Sequence, residues 1–161
     1  MKHEQEDTRG ELRGVALILT NPAGEILTLE EFETKIHVGK QAGMRSIPME
    51  TSYPGEPDES AVERLIAEEL PGIEKQTQGP VLRIGRYQIV AGAWVTLYKA
   101  EVIHTILPEK IGEGVGNYKW VAPEEALTFW LRQGAEEMIA DFQQGKENAV
   151  VQTTCKSPHR F

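Results

Sequence analysis

Residues 47–73 read IPMETSYPGEPDESAVERLIAEELPGI, and the rest of the chain is organised around them. A short apolar piece runs from Ile47 toward a turn at Pro54-Gly55. The end signals predict a helix that starts near Pro57 and stops at Pro71-Gly72. Pro lies near the first helical position, with Asp58 and Glu59 in the first turn, where a carboxylate meets the positive end of the helix dipole. At the other end Pro71 cannot continue the hydrogen-bond ladder, and Gly72 suits a left-handed exit. At about 100° per residue, Val62, Ile66 and Leu70 form one apolar arc, with Glu69 inside it beside Val62. Leu65 falls between Glu68 and Glu69. Arg64 stands one turn before Glu68, where i,i+4 pairs meet. A carboxylate on the border of a buried stripe is costly to desolvate unless a cation meets it. On helix geometry alone, a solvated helix with a tolerated edge glutamate reads the same way.

The order of the residues adds to this. The segment resembles the Nudix box, G-x5-E-x7-R-E-U-x-E-E-x-G-U, where U is a bulky apolar residue. Glu56 and Arg64 fit E-x7-R, Ile66 fits U, and Glu68-Glu69 fit the paired glutamates. Gly72-Ile73 fit the closing G-U after one extra residue, and Pro48 matches the proline that commonly precedes the box. Three positions depart from the pattern: Glu50 stands at the first Gly, Met49 where another Gly often precedes it, and Leu65 at the Glu of Arg-Glu.

The resemblance implies an α/β fold, a Nudix-like α/β/α sandwich around a mixed β-sheet. It also implies metal-dependent hydrolysis of a nucleoside-diphosphate-linked or related pyrophosphate, with Mg²⁺ or Mn²⁺ as cofactor. Glu68 and Glu69 would then be the catalytic, metal-binding carboxylates. Glu56 and Arg64 would support the site by an ion pair that holds the loop against the helix. Clustered carboxylates bind hard cations, which neutralise phosphate oxygens and activate water. Leu65 offers no ligand where the family has a carboxylate, and on the helix wheel no neighbour replaces it. Glu50 is the candidate third metal ligand, supplying the charge that Leu65 lacks. If the loop needs positive φ at Met49 and Glu50, neither adopts it cheaply, and the loop must differ. Glu109 or Glu113, from a Gly-rich segment further on, is a second source of charge.

The rest of the chain is compatible with this. Its 161 residues suggest a single Nudix-like domain over 1–161, with 1–10 and 150–161 as flexible ends. Hydrophobic residues at 40% and charged residues at 26% are ordinary for a globular protein. A net charge of −8 makes duplex nucleic acid a poor partner, since that wants a basic face. A small phosphorylated, nucleotide-like ligand remains suitable if a cation mediates. The single cysteine, Cys155, excludes an internal disulfide and a multi-cysteine zinc site. No stretch has the length of a membrane span and the polar start lacks a signal-peptide core, so the expected location is the cytoplasm. The pattern neither supports nor excludes a homodimer.

Along the chain, Leu12–Leu19 reads as a buried strand and Glu25–Glu30 as its hairpin partner across Asn21-Pro22-Ala23-Gly24. Phe32–Gly43 reads as irregular, with His37 alone in it, and Arg45–Pro48 as a short extended piece. Glu74–Pro80 reads as polar loop, and Val81–Val90 and Ala93–Ile103 as two long strands, the second ending at His104. Leu107–Asn117, LPEKIGEGVGN, lacks the Lys-Ser/Thr of a phosphate loop and reads as a mobile loop over a site. Tyr118–Val121 is expected as a strand, Pro123 as the start of a helix and Ala135–Phe142 as a final amphipathic helix. Ala149–Phe161 is expected as a short strand and tail.

Two function classes stay open: a pyrophosphohydrolase, favoured by Arg64, Glu68 and Glu69, and a catalytically weak or inactive binding module, favoured by Leu65. A third is an interaction protein with no small ligand. Tyr53, Arg45 and the Gly-rich segment are expected near the site without assigned roles, and no stretch reports the substrate.

Overall fold

The computed structural model describes residues 11–156, with side chains through Gly145. Its seven-stranded sheet is built on β1 (Leu12–Thr20), whose Val-, Leu- and Ile-rich run is buried on both faces. On one edge β1 pairs in parallel with β6 (Ala93–Val102), from Leu12↔Ala93 to Thr20↔Glu101. On the other edge it pairs antiparallel with β4 (Met49–Thr51) and, at Thr20↔Ile26, with β2 (Ile26–Glu31). β2 carries β3 (Arg45–Ser46) and β7 (Val115–Val121), and β5 (Thr77–Val90) closes the far edge beside β6. One parallel pair among antiparallel ones makes the sheet mixed.

Alternation along the strands separates two cores. Val15, Leu17, Leu19, Leu27 and Leu29 face α1 (Asp58–Glu69), which buries Ala61, Val62, Leu65 and Ile66 against them. Ala16, Ile18, Ile26, Val95 and Leu97 face the other way, toward Ala135, Met138, Ile139 and Phe142 of α3 (Ala135–Lys156) and Ala126 of the short α2 (Pro123–Ala126). Helices therefore cover both faces, the α/β/α sandwich expected.

The helix, the first hairpin and the strand after Gly92 lie where the sequence places them; four segments differ. Ile73 is fully buried and anchors a 3-10 turn, so β5 starts at Thr77 rather than Val81. Pro80 is tolerated inside β5 because that strand lies at the sheet edge. β7 starts at Val115, inside the Gly-rich segment, because Val115 is buried opposite Glu31. The irregular piece after β2 holds a 3-10 turn, Ile36–Val38, closed by Gly39 at φ 77. Residues 149–156 continue α3 rather than forming a strand, since extending a formed helix avoids the cost of nucleation. The expectations for 1–10 and 157–161 lie outside the described residues. Among the described residues no helix is long and apolar enough to cross a membrane.

Two close approaches set the site. A Cβ at Gly14 of β1 would lie 2.5 Å from the Glu50 carbonyl oxygen, so glycine there lets β4 press against β1. Glu50 accordingly sits in a strand, opposite Val15, and among the described residues only Asn117 departs from glycine in having positive φ. The strain anticipated at Met49 and Glu50 does not arise.

Candidate functional site

Arg64 of α1 gathers the carboxylates around it. Its Nε and Nη2 donate to Glu56 at 3.2 and 2.8 Å, a bidentate pair, and Nη2 also donates to the Thr51 carbonyl at 2.8 Å. Nη1 donates to Glu50 at 2.5 Å and lies 3.6 Å from Glu68. The Tyr53 ring stacks 3.9 Å from the guanidinium, and the Tyr53 backbone N–H donates to Glu56. Hydrogen bonds from Arg64, then from the Tyr53 N–H, hold the Glu56 carboxyl below its ordinary range. The Glu56 bond in turn raises Arg64 further.

Glu68 and Glu69 end the same helix in different surroundings. Partial burial, then the charge of Glu50 and a hydrogen bond to it, push the Glu68 carboxyl up. Glu69 is 6% exposed, and its Oε1 has no hydrogen-bond partner. Burial, then the charges of Glu31 and Glu50, push its carboxyl well above the ordinary range, against the pull of Arg132 and Lys40. Those two cations meet at Glu31, with Lys40 Nζ at 3.4 Å and Arg132 Nη1 at 3.3 Å. Arg132 also donates through Nε and Nη2 to the Val38 carbonyl at 3.3 and 3.0 Å.

The Gly-rich segment is fastened to this helix end, in place of the mobile loop expected. The Glu113 N–H donates to the Glu68 carbonyl at 3.0 Å, and the Glu109 N–H to that of Pro71 at 2.8 Å. The Tyr118 hydroxyl donates to the Glu69 carbonyl and accepts the Gly112 N–H at 2.9 Å. These bonds satisfy carbonyls that a helix end leaves unpaired. A Cβ at Gly112 would lie 2.6 Å from both the Glu68 and Glu69 carbonyl oxygens, so the contact requires glycine.

A pocket of about 360 Å³ is lined by Glu50, Glu68, Glu69 and Glu113 together with Lys35, His37, Lys40 and Arg132. The structure thus brings together Glu50, Glu68 and Glu69, with Arg64 and Glu56 behind them. Glu113 joins them, whereas Glu109 lies against Gly72 and pairs with Lys75 at 3.5 Å. Tyr53 stacks on Arg64, but Arg45 is engaged by Thr28 at 2.9 Å and lies over Phe129. His37 is at the pocket, while His104 meets Gln76 elsewhere. Glu31, Lys40, Arg132 and Tyr118 are site residues that the sequence reading missed. No spacing marks them, because Arg132 and Glu31 are 101 residues apart. A larger cleft of about 680 Å³, between β5, β6 and α3, contains none of the box carboxylates.

The donor set suits a hard divalent cation held jointly with a ligand. Glu50 and Glu68 face each other, and the Glu69 Oε1 is a buried oxygen without a partner. Among the described residues no three His, Cys, Asp or Glu make a ready cage. Leu65 is fully buried in the core and supplies nothing. A cation of the Mg²⁺ type fits such a site, because it keeps several waters and takes one or two carboxylates plus substrate phosphates.

Comparisons with known proteins agree with the fold. The family model for the NUDIX domain matches residues 10–142. A search of curated proteins finds no match. Among solved structures, a NUDIX hydrolase from Nitrosomonas europaea is similar at TM-score 0.65 and 21% identity, over 84% of this chain and 90% of that one. The NUDIX domain of Shewanella oneidensis NrtR, complexed with ADP ribose, gives TM-score 0.65 at 16% identity, over 92% and 99%. A C. elegans Ap4A hydrolase in a binary complex gives 0.63 at 18%, over 85% and 98%. At these identities the likeness is one of fold.

Proposed function

The chain belongs to the NUDIX domain family, and on that premise we propose that it is a metal-dependent hydrolase of a pyrophosphate-containing substrate. The observation that carries this reading is the unpartnered, buried Oε1 of Glu69 beside the facing carboxyls of Glu50 and Glu68. Such an arrangement is unfavourable until a cation meets it. Glu68 and Glu69 would hold Mg²⁺ or Mn²⁺, with Glu50 as the third carboxylate in place of Leu65. When bound, the cation neutralises phosphate oxygens and lowers the pKa of water.

The remaining work falls to the chain's own side chains. Arg64 and Glu56 fix the turn before α1 and keep Glu50 turned toward Glu68. Glu113, set at the pocket by its N–H bond to the Glu68 carbonyl, accepts the proton of the attacking water. Lys35, Lys40 and His37, in the same lining, meet the substrate's negative charge. Two fold neighbours, one complexed with ADP ribose and one an Ap4A hydrolase, support a pyrophosphate-bearing ligand.

A second reading, a binding module that keeps the site without turnover, is favoured by the burial of Leu65 and by the Arg64–Glu50 pair. Release of phosphate or a phosphorylated product from a mixed pyrophosphate panel with Mg²⁺ or Mn²⁺ tests the choice. Turnover that disappears in Glu69→Gln supports the hydrolase. Ligand-induced thermal stabilisation with no turnover in the parent supports the module.

A further inference from the structure

Beside the carboxylate pocket lies a shallow chamber that the proposed chemistry does not use. The two share Leu12, Val38, Glu50, Thr51 and Arg132, and the chamber continues past Glu50 to Arg13 and Trp94. Arg13 of β1 and Trp94 of β6 are register partners in the parallel pair, so their side chains leave the sheet on the same face. That face is the one against which α1 packs. Tyr98, four residues further along β6, donates from its hydroxyl to Asp58 at the start of the helix, at 2.7 Å. Trp94 lies about 13 Å before Tyr98 along the strand, outside the start of α1, and is left half-buried.

The chemistry of this chamber suits a planar group. The Arg86 guanidinium lies over the Trp94 ring, 4.4 Å from its centre, and so holds the indole in place. Arg13 is half-buried, and among the described residues its side chain has no hydrogen bond or ion pair. A guanidinium carries five donors and no acceptor, and partial burial without a partner is unfavourable, so Arg13 is a donor without its acceptor. The enclosed volume is about 10 Å³, too small for a ring to enter, so a ring lies across the chamber, against Trp94 and with Arg13 at its edge. Glu50 lines both spaces, so a diphosphate held at the carboxylates can lay its other group here.

We infer that Trp94 and Arg13 are specificity residues of the site: Trp94 stacks the nucleobase of a nucleoside-diphosphate-type substrate, and Arg13 donates to acceptors on the edge of that base. The inference rests on the pyrophosphate reading above and deepens it. ADP and ribose 5-diphosphate differ only by adenine, and both are titrated calorimetrically into the full chain with Mg²⁺. ADP is expected to bind about tenfold tighter, the size of one base–aromatic stack. Trp94→Leu is expected to abolish this advantage while ribose 5-diphosphate binds as before. Arg13→Gln, at a side chain that bonds to nothing in the fold, is expected to reduce it about threefold and decides the matter should Trp94→Leu not fold. Equal affinities in the unaltered chain, an advantage undiminished in either variant, or loss of both ligands in folded Trp94→Leu overturns the inference and leaves the pyrophosphate reading standing. Failure of both probes to bind the unaltered chain overturns the two together.

Discussion

Arg64 donates to Glu50 at 2.5 Å across the gap between α1 and β4, and the same Nη1 lies 3.6 Å from Glu68. One guanidinium thus holds two carboxylates near each other. Burial, then the charge of Glu50, raises the Glu68 carboxyl. If Glu50 serves as the third carboxylate, Glu50→Gln weakens Mg²⁺ affinity by about tenfold while the fold persists, measured by calorimetry with pyrophosphate present. Unchanged affinity would leave Glu50 as a partner of Arg64 alone.

Gly112 is required by contact rather than by conformation. A methyl group there meets two backbone carbonyls at 2.6 Å, and backbone cannot move aside as a flexible side chain does. Gly112→Ala is expected to destabilise the protein by about 1–3 kcal/mol and to shift the Glu69 backbone. Tyr118→Phe, which removes the hydroxyl between the Gly112 N–H and the Glu69 carbonyl, should cost about 1 kcal/mol. Urea denaturation of both variants checks the order.

Burial, then the charges of Glu31 and Glu50, raise the Glu69 carboxyl well above its ordinary range. A raised carboxyl favours the protonated form in the folded chain. Its stabilising contribution is therefore full below the unfolded carboxylate pKa, about 4.3, and is lost as pH rises through the folded value. Metal-free protein should lose stability as pH rises above the ordinary carboxylate range, Mg²⁺ should restore part of it at the higher pH, and Glu69→Gln should flatten the profile. Denaturation midpoints over rising pH, with and without Mg²⁺, test the sign.

The buried Glu31–Arg132 pair predicts strong non-additivity. Arg132→Met alone leaves the Glu31 charge with only Lys40 and is expected to destabilise by about 3–5 kcal/mol. The double variant Glu31→Leu, Arg132→Met removes both charges and should recover most of that loss. A double-mutant cycle in denaturant measures the coupling.

Residues close in sequence made half of this site legible. Helix periodicity and end signals placed α1, and the E-x7-R spacing placed Glu56 against Arg64 because both follow from one turn and one helix. Glu31, Lys40 and Arg132 come from β2, the loop after it and the segment before α3, and nothing local marks side chains that meet only in the fold. The Gly-rich segment misled for a related reason. Its glycines suggested mobility, whereas Gly112 is small because the end of α1 lies against it. The strand expected after Ala149 failed because β-branched residues follow a helix already formed.

Calorimetric titration of Mg²⁺ and Mn²⁺ into the folded chain, with and without inorganic pyrophosphate, measures whether Glu68 and Glu69 capture a divalent cation. Weak uptake by the protein alone is expected, with clear uptake in the presence of pyrophosphate and loss of both in Glu69→Gln. No uptake of either metal under either condition would contradict that capture.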